Sequence, residues 1–120
     1  MGWKDLWDKW TADERTPDFP WQPLSDTEAI PGKFRVIFKH STSCGISGMM
    51  LRRFQDTWPP DAADYRLVDV RNERELSGEV AQRYGCRHES PQVLIIRDGE
   101  LVAHASHGDI GGLRPQDYLE

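Results

Sequence analysis

Phe34-Arg35-Val36-Ile37-Phe38-Lys39-His40-Ser41-Thr42-Ser43-Cys44-Gly45-Ile46-Ser47 is the stretch that decides how this chain is read. Its opening is short, apolar and rich in β-formers, which predicts a strand over 34–39, covered on both faces. Three hydroxyl residues follow, and then a helix is predicted from Cys44 to Thr57. Met49, Met50, Phe54 and Trp58 supply its apolar positions, and Pro59-Pro60 stops it. Cys44 therefore stands where a buried strand turns into a helix. The first N–H groups of a helix lack intrahelical partners, and the dipole is positive at that end. Both features favour a thiolate, which is the nucleophilic form of cysteine. Ser47 stands three residues on, where a Cys-x-x-Cys redox motif carries its second sulfur.

Downstream, Tyr65 to Val70 reads as a second strand, and residues 73–84 as a helix. Leu76, Val80 and Tyr84 recur at i, i+4 and i+8 of that helix, and Gly85 closes it. Gln92 to Ile96 is a third strand. Asp98-Gly99 is a tight hairpin signal, and Leu101 to Ala105 is the returning strand. Asp109 to Tyr118 reads as a final short helix. Upstream, Trp21 to Leu24 reads as a short first strand. Ser25 and Glu28 form a capping box for a brief helix that Pro31-Gly32 stops. Pro17, Pro20 and Pro23 mark an extended connector. Trp3, Leu6, Trp7 and Trp10 make one face of a short helix that packs on the domain or docks a partner. Strands alternating with helices imply parallel pairing through right-handed crossovers, and the hairpin adds an antiparallel pair. The fold class is α/β with a central mixed sheet flanked by helices.

Composition narrows the function. The chain has 120 residues, enough for one domain with a modest core. A net charge of −5, with no Lys/Arg cluster, argues against a nucleic-acid partner. No apolar run approaches the ~20 residues that span a bilayer. Met1-Gly2-Trp3-Lys4-Asp5 lacks the apolar stretch of a secretion signal, and Leu6 stands where a myristoylation site wants Ser or Thr. The expectation is a cytoplasmic protein without a membrane partner. Two cysteines, Cys44 and Cys86, are too few for the disulfide framework of a small secreted domain. Cys86 reads as a buried small hydrophobe. His40, His88, His104 and His107 lack the spacing of a zinc site, so no metal is expected.

Three segments resemble the monothiol bacilliredoxins, thioredoxin-like proteins of bacteria that use bacillithiol as their small thiol. They are Val36 to Ser47, Arg87-His88-Glu89-Ser90-Pro91-Gln92-Val93-Leu94 and, more weakly, Ala105-Ser106-His107. The resemblance covers roughly residues 34–110, and the chain is read as a Trp-rich helix and Pro-rich connector over 1–24 followed by a thioredoxin-like domain over 25–120. The resemblance implies that Cys44 attacks protein cysteines capped by bacillithiol, within a loop of His40, Ser43, Gly45, Ile46 and Ser47. Lys39, His88, Glu89, Ser90 and Pro91 then line the groove for substrate or thiol, with Pro91 in the cis form. Ser47 is placed to donate to the Cys44 thiolate, and Lys39 or His40 to add positive potential. Exchange runs through a mixed disulfide. With no cysteine at position 47, a second bacillithiol or a flavin disulfide reductase must finish the cycle. Gly45 departs from the family's usual proline. Cys-Gly-Ile-Ser is one residue from the Cys-Gly-Phe-Ser of monothiol glutaredoxins, which leaves a [2Fe–2S]-binding module as an alternative. A non-catalytic thioredoxin-fold adaptor is a further one.

Overall fold

The computed structural model describes residues 19–25 and 34–119. The expected Trp-rich helix and the helix after Ser25 lie outside these residues. The described elements are β1 (Gln22–Pro23), β2 (Phe34–His40), α1 (Gly45–Thr57), β3 (Asp64–Asp69), α2 (Arg74–Tyr84), β4 (Gln92–Arg97) and β5 (Glu100–Ser106). They build one sheet in the order β1-β3-β2-β4-β5. β1, β3 and β2 run parallel, whereas β4 pairs antiparallel with β2, and β5 with β4. β2, read as covered on both faces, thus takes the centre of the sheet.

Alternation along β2 sorts the core onto two faces. Val36 and Phe38 join Met50, Leu51 and Phe54 of α1 on one face. Ile37 joins Val80 and Tyr84 of α2 on the other, with Cys86 among them. Residues 19–24, read as the end of the connector and a short first strand, contribute to both. Phe19 and Trp21 enter the α1 side, and Leu24 the α2 side. Trp21 donates its indole N–H to Gln55 at 2.8 Å. Met49, predicted as an apolar packing position, is instead 49% exposed, because Met50 and Leu51 take the inward arc of α1.

Local chemistry sets the ends of the elements. Gly85 closes α2 in the left-handed region (φ 61°), its N–H bonded to Ala81 O. Asp98 and Gly99 both have positive φ, as the tightest hairpin between twisted strands requires. The predicted helix over Asp109 to Tyr118 does not form. Two 3-10 turns, His107–Gly112 and Pro115–Asp117, replace it. Arg114 separates them with extended backbone, φ −113° and ψ 118°. Its neighbour Pro115 disfavours the helical conformation at the preceding residue.

Candidate active site

Three chain crossings meet at the end of the sheet that carries Cys44. β2 leaves the sheet at His40, β3 leaves beside it at Asp69, and β4 enters opposite Lys39 at Gln92. Val70 N–H bonds to His40 O at 3.0 Å, which ties the two outgoing loops together. Pro91 stands just before β4, and the Ser90–Pro91 peptide is cis.

Cys44 is the N-cap of α1, partly exposed, with its carbonyl accepting from Ser47 N–H at 3.1 Å. Its own N–H donates to Ser41 O at 3.2 Å, which folds the 41–44 turn. Its side chain makes no cap hydrogen bond. The Ser47 hydroxyl lies 2.6 Å from His40 Nδ1 and accepts from Ser41 N–H at 3.0 Å. Ser47 and His40 are both fully buried. The expected donation from Ser47 to the Cys44 sulfur is thus replaced by a tie between strand end and helix. Ser41 and Ser43 share a hydroxyl contact at 3.1 Å. Gly45 and Ile46 are exposed beside Cys44, which leaves its approach open to a partner.

Lys39 does not face Cys44. It alternates with Phe38 and so points to the α2 side, fully buried. Its ammonium donates to Ser77 O and lies against His88 Nδ1, both at 3.0 Å. Burial brings the ammonium down to about 8, and Cys86 nearby opposes that shift. The same burial pushes the Cys86 thiol up; Lys39 opposes the rise and Glu89 adds to it. His88 is held below the ordinary imidazole range, first by burial and then by Lys39. Glu89 turns the other way. The Ser106 hydroxyl, with His107, Arg87 and His104 around it, keeps its carboxyl below the usual range.

Most of the predicted residues therefore form two groups, with Glu89 turned to Ser106 outside both. His40, Ser43, Gly45, Ile46 and Ser47 surround Cys44, whereas Lys39 and His88 join Cys86 behind the sheet. Sequence reasoning missed Ser77 and Gln92. Gln92 Nε2 reaches Cys86 Sγ at 3.5 Å and Arg87 O at 2.9 Å. Ser77 had one available signal. Arg74, Ser77 and Gly78 recur at i, i+3 and i+4, a polar stripe on a helix otherwise read for its apolar face.

Comparison with known proteins follows this geometry. Residues 25–113 match the family model described as Monothiol bacilliredoxin BrxC. A solved structure described as a candidate oxidoreductase with a thioredoxin fold is 32% identical, covering 71% of this chain and 73% of that one at a TM-score of 0.61. Thioredoxin from Malassezia sympodialis (Mala s 13) is 20% identical, covering 86% and 88% at a TM-score of 0.57. Trxlp from Edwardsiella tarda EIB202 is 17% identical, covering 82% and 93% at 0.56. The last two establish the thioredoxin-like fold.

Proposed function

Because this chain belongs to the monothiol bacilliredoxin family, and is a thiol oxidoreductase on that ground, we propose that it strips bacillithiol from protein mixed disulfides through Cys44. The Cys44 thiolate attacks the bacillithiol sulfur of a client's mixed disulfide. The old S–S bond breaks, the client leaves as a thiolate that takes up a proton, and a Cys44–bacillithiol disulfide forms. A second bacillithiol thiolate then attacks that disulfide and frees Cys44, releasing oxidised bacillithiol for a flavin disulfide reductase. Client proteins, bacillithiol and that reductase are the partners, and the cytoplasm is the compartment. Among the described residues, no helix is long and apolar enough to cross a membrane.

The observation that carries this reading is the setting of Cys44: a partly exposed thiol at a helix N-terminus, with a buried serine one turn on. Such a thiol can open a mixed disulfide and cannot close an internal one with position 47. The test is incubation with a bacillithiolated protein, followed by intact mass of both chains. The expected result is loss of one bacillithiol from the client and its gain on this chain, absent in Cys44→Ser. A client that keeps its cap with the wild-type chain would sink the proposal.

A further inference from the structure

A cleft of about 490 Å³ opens on the α2 side, lined by Val70, Arg71, Arg74, Ser77, Gly78 and His88. It lies at the Cys44 end of the sheet, since Val70 is bonded to His40 and His88 stands two residues before Ser90–Pro91.

The folded chain leaves four of its lining residues unexplained. The Ser77 hydroxyl is buried, with the residue 3% exposed, and has no hydrogen-bond partner among the described residues. Buried hydroxyls ordinarily find one. Arg74 opens α2 at the positive end of its dipole, where a cation is disfavoured. Among the described residues, neither its guanidinium nor that of Arg71 forms an ion pair. Gly78 stands inside the helix, although a Cβ there would meet only open space. Its missing side chain widens the cleft.

The polar side chains that line the cleft, beside Val70 and Gly78, are donors. Lys39 lies behind the wall, bonded to Ser77 O and His88 Nδ1. With Nδ1 accepting from the ammonium, the His88 ring carries its proton on Nε2 and is itself a donor. The nearby acids are engaged elsewhere. Glu73 accepts from Asp69 N–H at 2.9 Å, and Asp69 accepts from Arg71 N–H at 3.1 Å and from the Asn72 amide. Glu89 is turned to Ser106. Two guanidinium forks and a hydroxyl match a planar carboxylate, which accepts two parallel bonds from one arginine.

We propose that this cleft binds a carboxylate of the small thiol whose sulfur exchanges at Cys44. This deepens the reading above and rests on Cys44 exchanging with such a thiol. Arg74 and Arg71 hold the carboxylate, the Ser77 hydroxyl completes its bonds, and the small thiol reaches from there to the cysteine loop.

One test does not require exchange. S-methylated bacillithiol cannot form a disulfide, and its titration into the full chain is followed by amide NMR shifts. Ser77, Gly78 and His88 should move, and Arg74→Gln should weaken the apparent affinity on the order of tenfold, the loss of one charge-assisted pair. Shifts confined to other regions, or none, would overturn the site even if Cys44 proves reactive. A second test compares one client capped by bacillithiol with the same client capped by uncharged 2-mercaptoethanol. Arg74→Gln and Ser77→Ala should lower the kcat/KM ratio between the two caps, through KM for the bacillithiol cap. An unchanged ratio would overturn the proposal. Ser77→Ala removes a hydroxyl that bonds to nothing among the described residues, so its melting temperature should match or exceed the wild type's. Failure of the wild type on both caps, with the NMR shifts present, would count against the exchange reading and not against the cleft.

Discussion

The two thiols of this chain stand at one end of the same sheet, on opposite sides of it. Cys44 begins the helix that covers one face, partly exposed and flanked by exposed Gly45 and Ile46. Cys86 sits in the core of the other face, 4% exposed, with a lysine ammonium in its field and an amide donor at its sulfur. Judged by nearby positive charge, Cys86 would be the activated one. Burial nevertheless pushes its thiol up, because desolvation of the anion outweighs the attraction of Lys39. A charge close by does not make a nucleophile if the site is dry and closed; access at a helix start is the more useful arrangement.

The sharpest way to break this comparison is to remove each sulfur. Cys44→Ser should reduce bacillithiol transfer by about three orders of magnitude or more while the fold persists, since no other group replaces the nucleophile. Intact mass over time measures it, and transfer near the wild-type rate would move the chemistry to Cys86. The tie that holds the cysteine loop is the next target. Ser47→Ala leaves the buried His40 ring and Ser41 N–H without their shared hydroxyl, a loss of about 1–3 kcal/mol. Urea midpoints should fall accordingly, and an unchanged midpoint would show that the tie contributes nothing.

The closed side is tested through pH. Lys39 titrates near 8 when folded and near 10.5 when unfolded, so between these values the unfolded chain binds more protons. Stability should then rise with pH, by about 1 kcal/mol from pH 8 to 9. Cys86 acts in the opposite sense, because its raised thiol keeps a proton that the unfolded chain loses. The measurement therefore belongs in a Cys86→Ala background. There the rise should appear with Lys39 and vanish in Lys39→Met; a flat profile with Lys39 present would mean that its ammonium is not desolvated. Cys86→Ala itself should keep transfer within about twofold and cost about 1 kcal/mol for the lost packing. A Cys44–Cys86 disulfide in the oxidised wild type would erase the distinction between the two sides.

Much of the scaffold was legible because its signals are local. The apolar run of β2, the Asp98-Gly99 turn and Gly85 each act through their own backbone, and the structure places each where the pattern put it. The setting of Cys44 at a helix start followed from the same local logic. The direction of Lys39 did not. β2 is buried on both faces, so its sequence carries no contrast to say which face holds which helix. Ser77 and His88, its hydrogen-bond partners, lie 38 and 49 residues away. The helix expected over Asp109 to Tyr118 gives way to two turns, because Pro115 disfavours helical backbone at Arg114. Cleft residues such as Arg71 and Arg74 look like ordinary solvated charges until the fold brings them together beside the buried Ser77, with no acid paired to them among the described residues.

The brevity of β1 has a consequence for how molecules of this protein meet each other. A sheet border with a long row of open N–H and C=O groups invites another chain to add a strand. Here that border spans Gln22–Pro23, and Pro23 has no N–H to offer. The Pro23 carbonyl is also taken, accepting from the Arg66 guanidinium at 2.8 Å. A neighbouring chain finds almost no ladder to extend along β1 itself. Self-association by strand addition would have to use β5, where exposed Glu100 and His104 flank Val102. The two margins thus differ: β1 offers little to an added strand, whereas β5 presents a full edge.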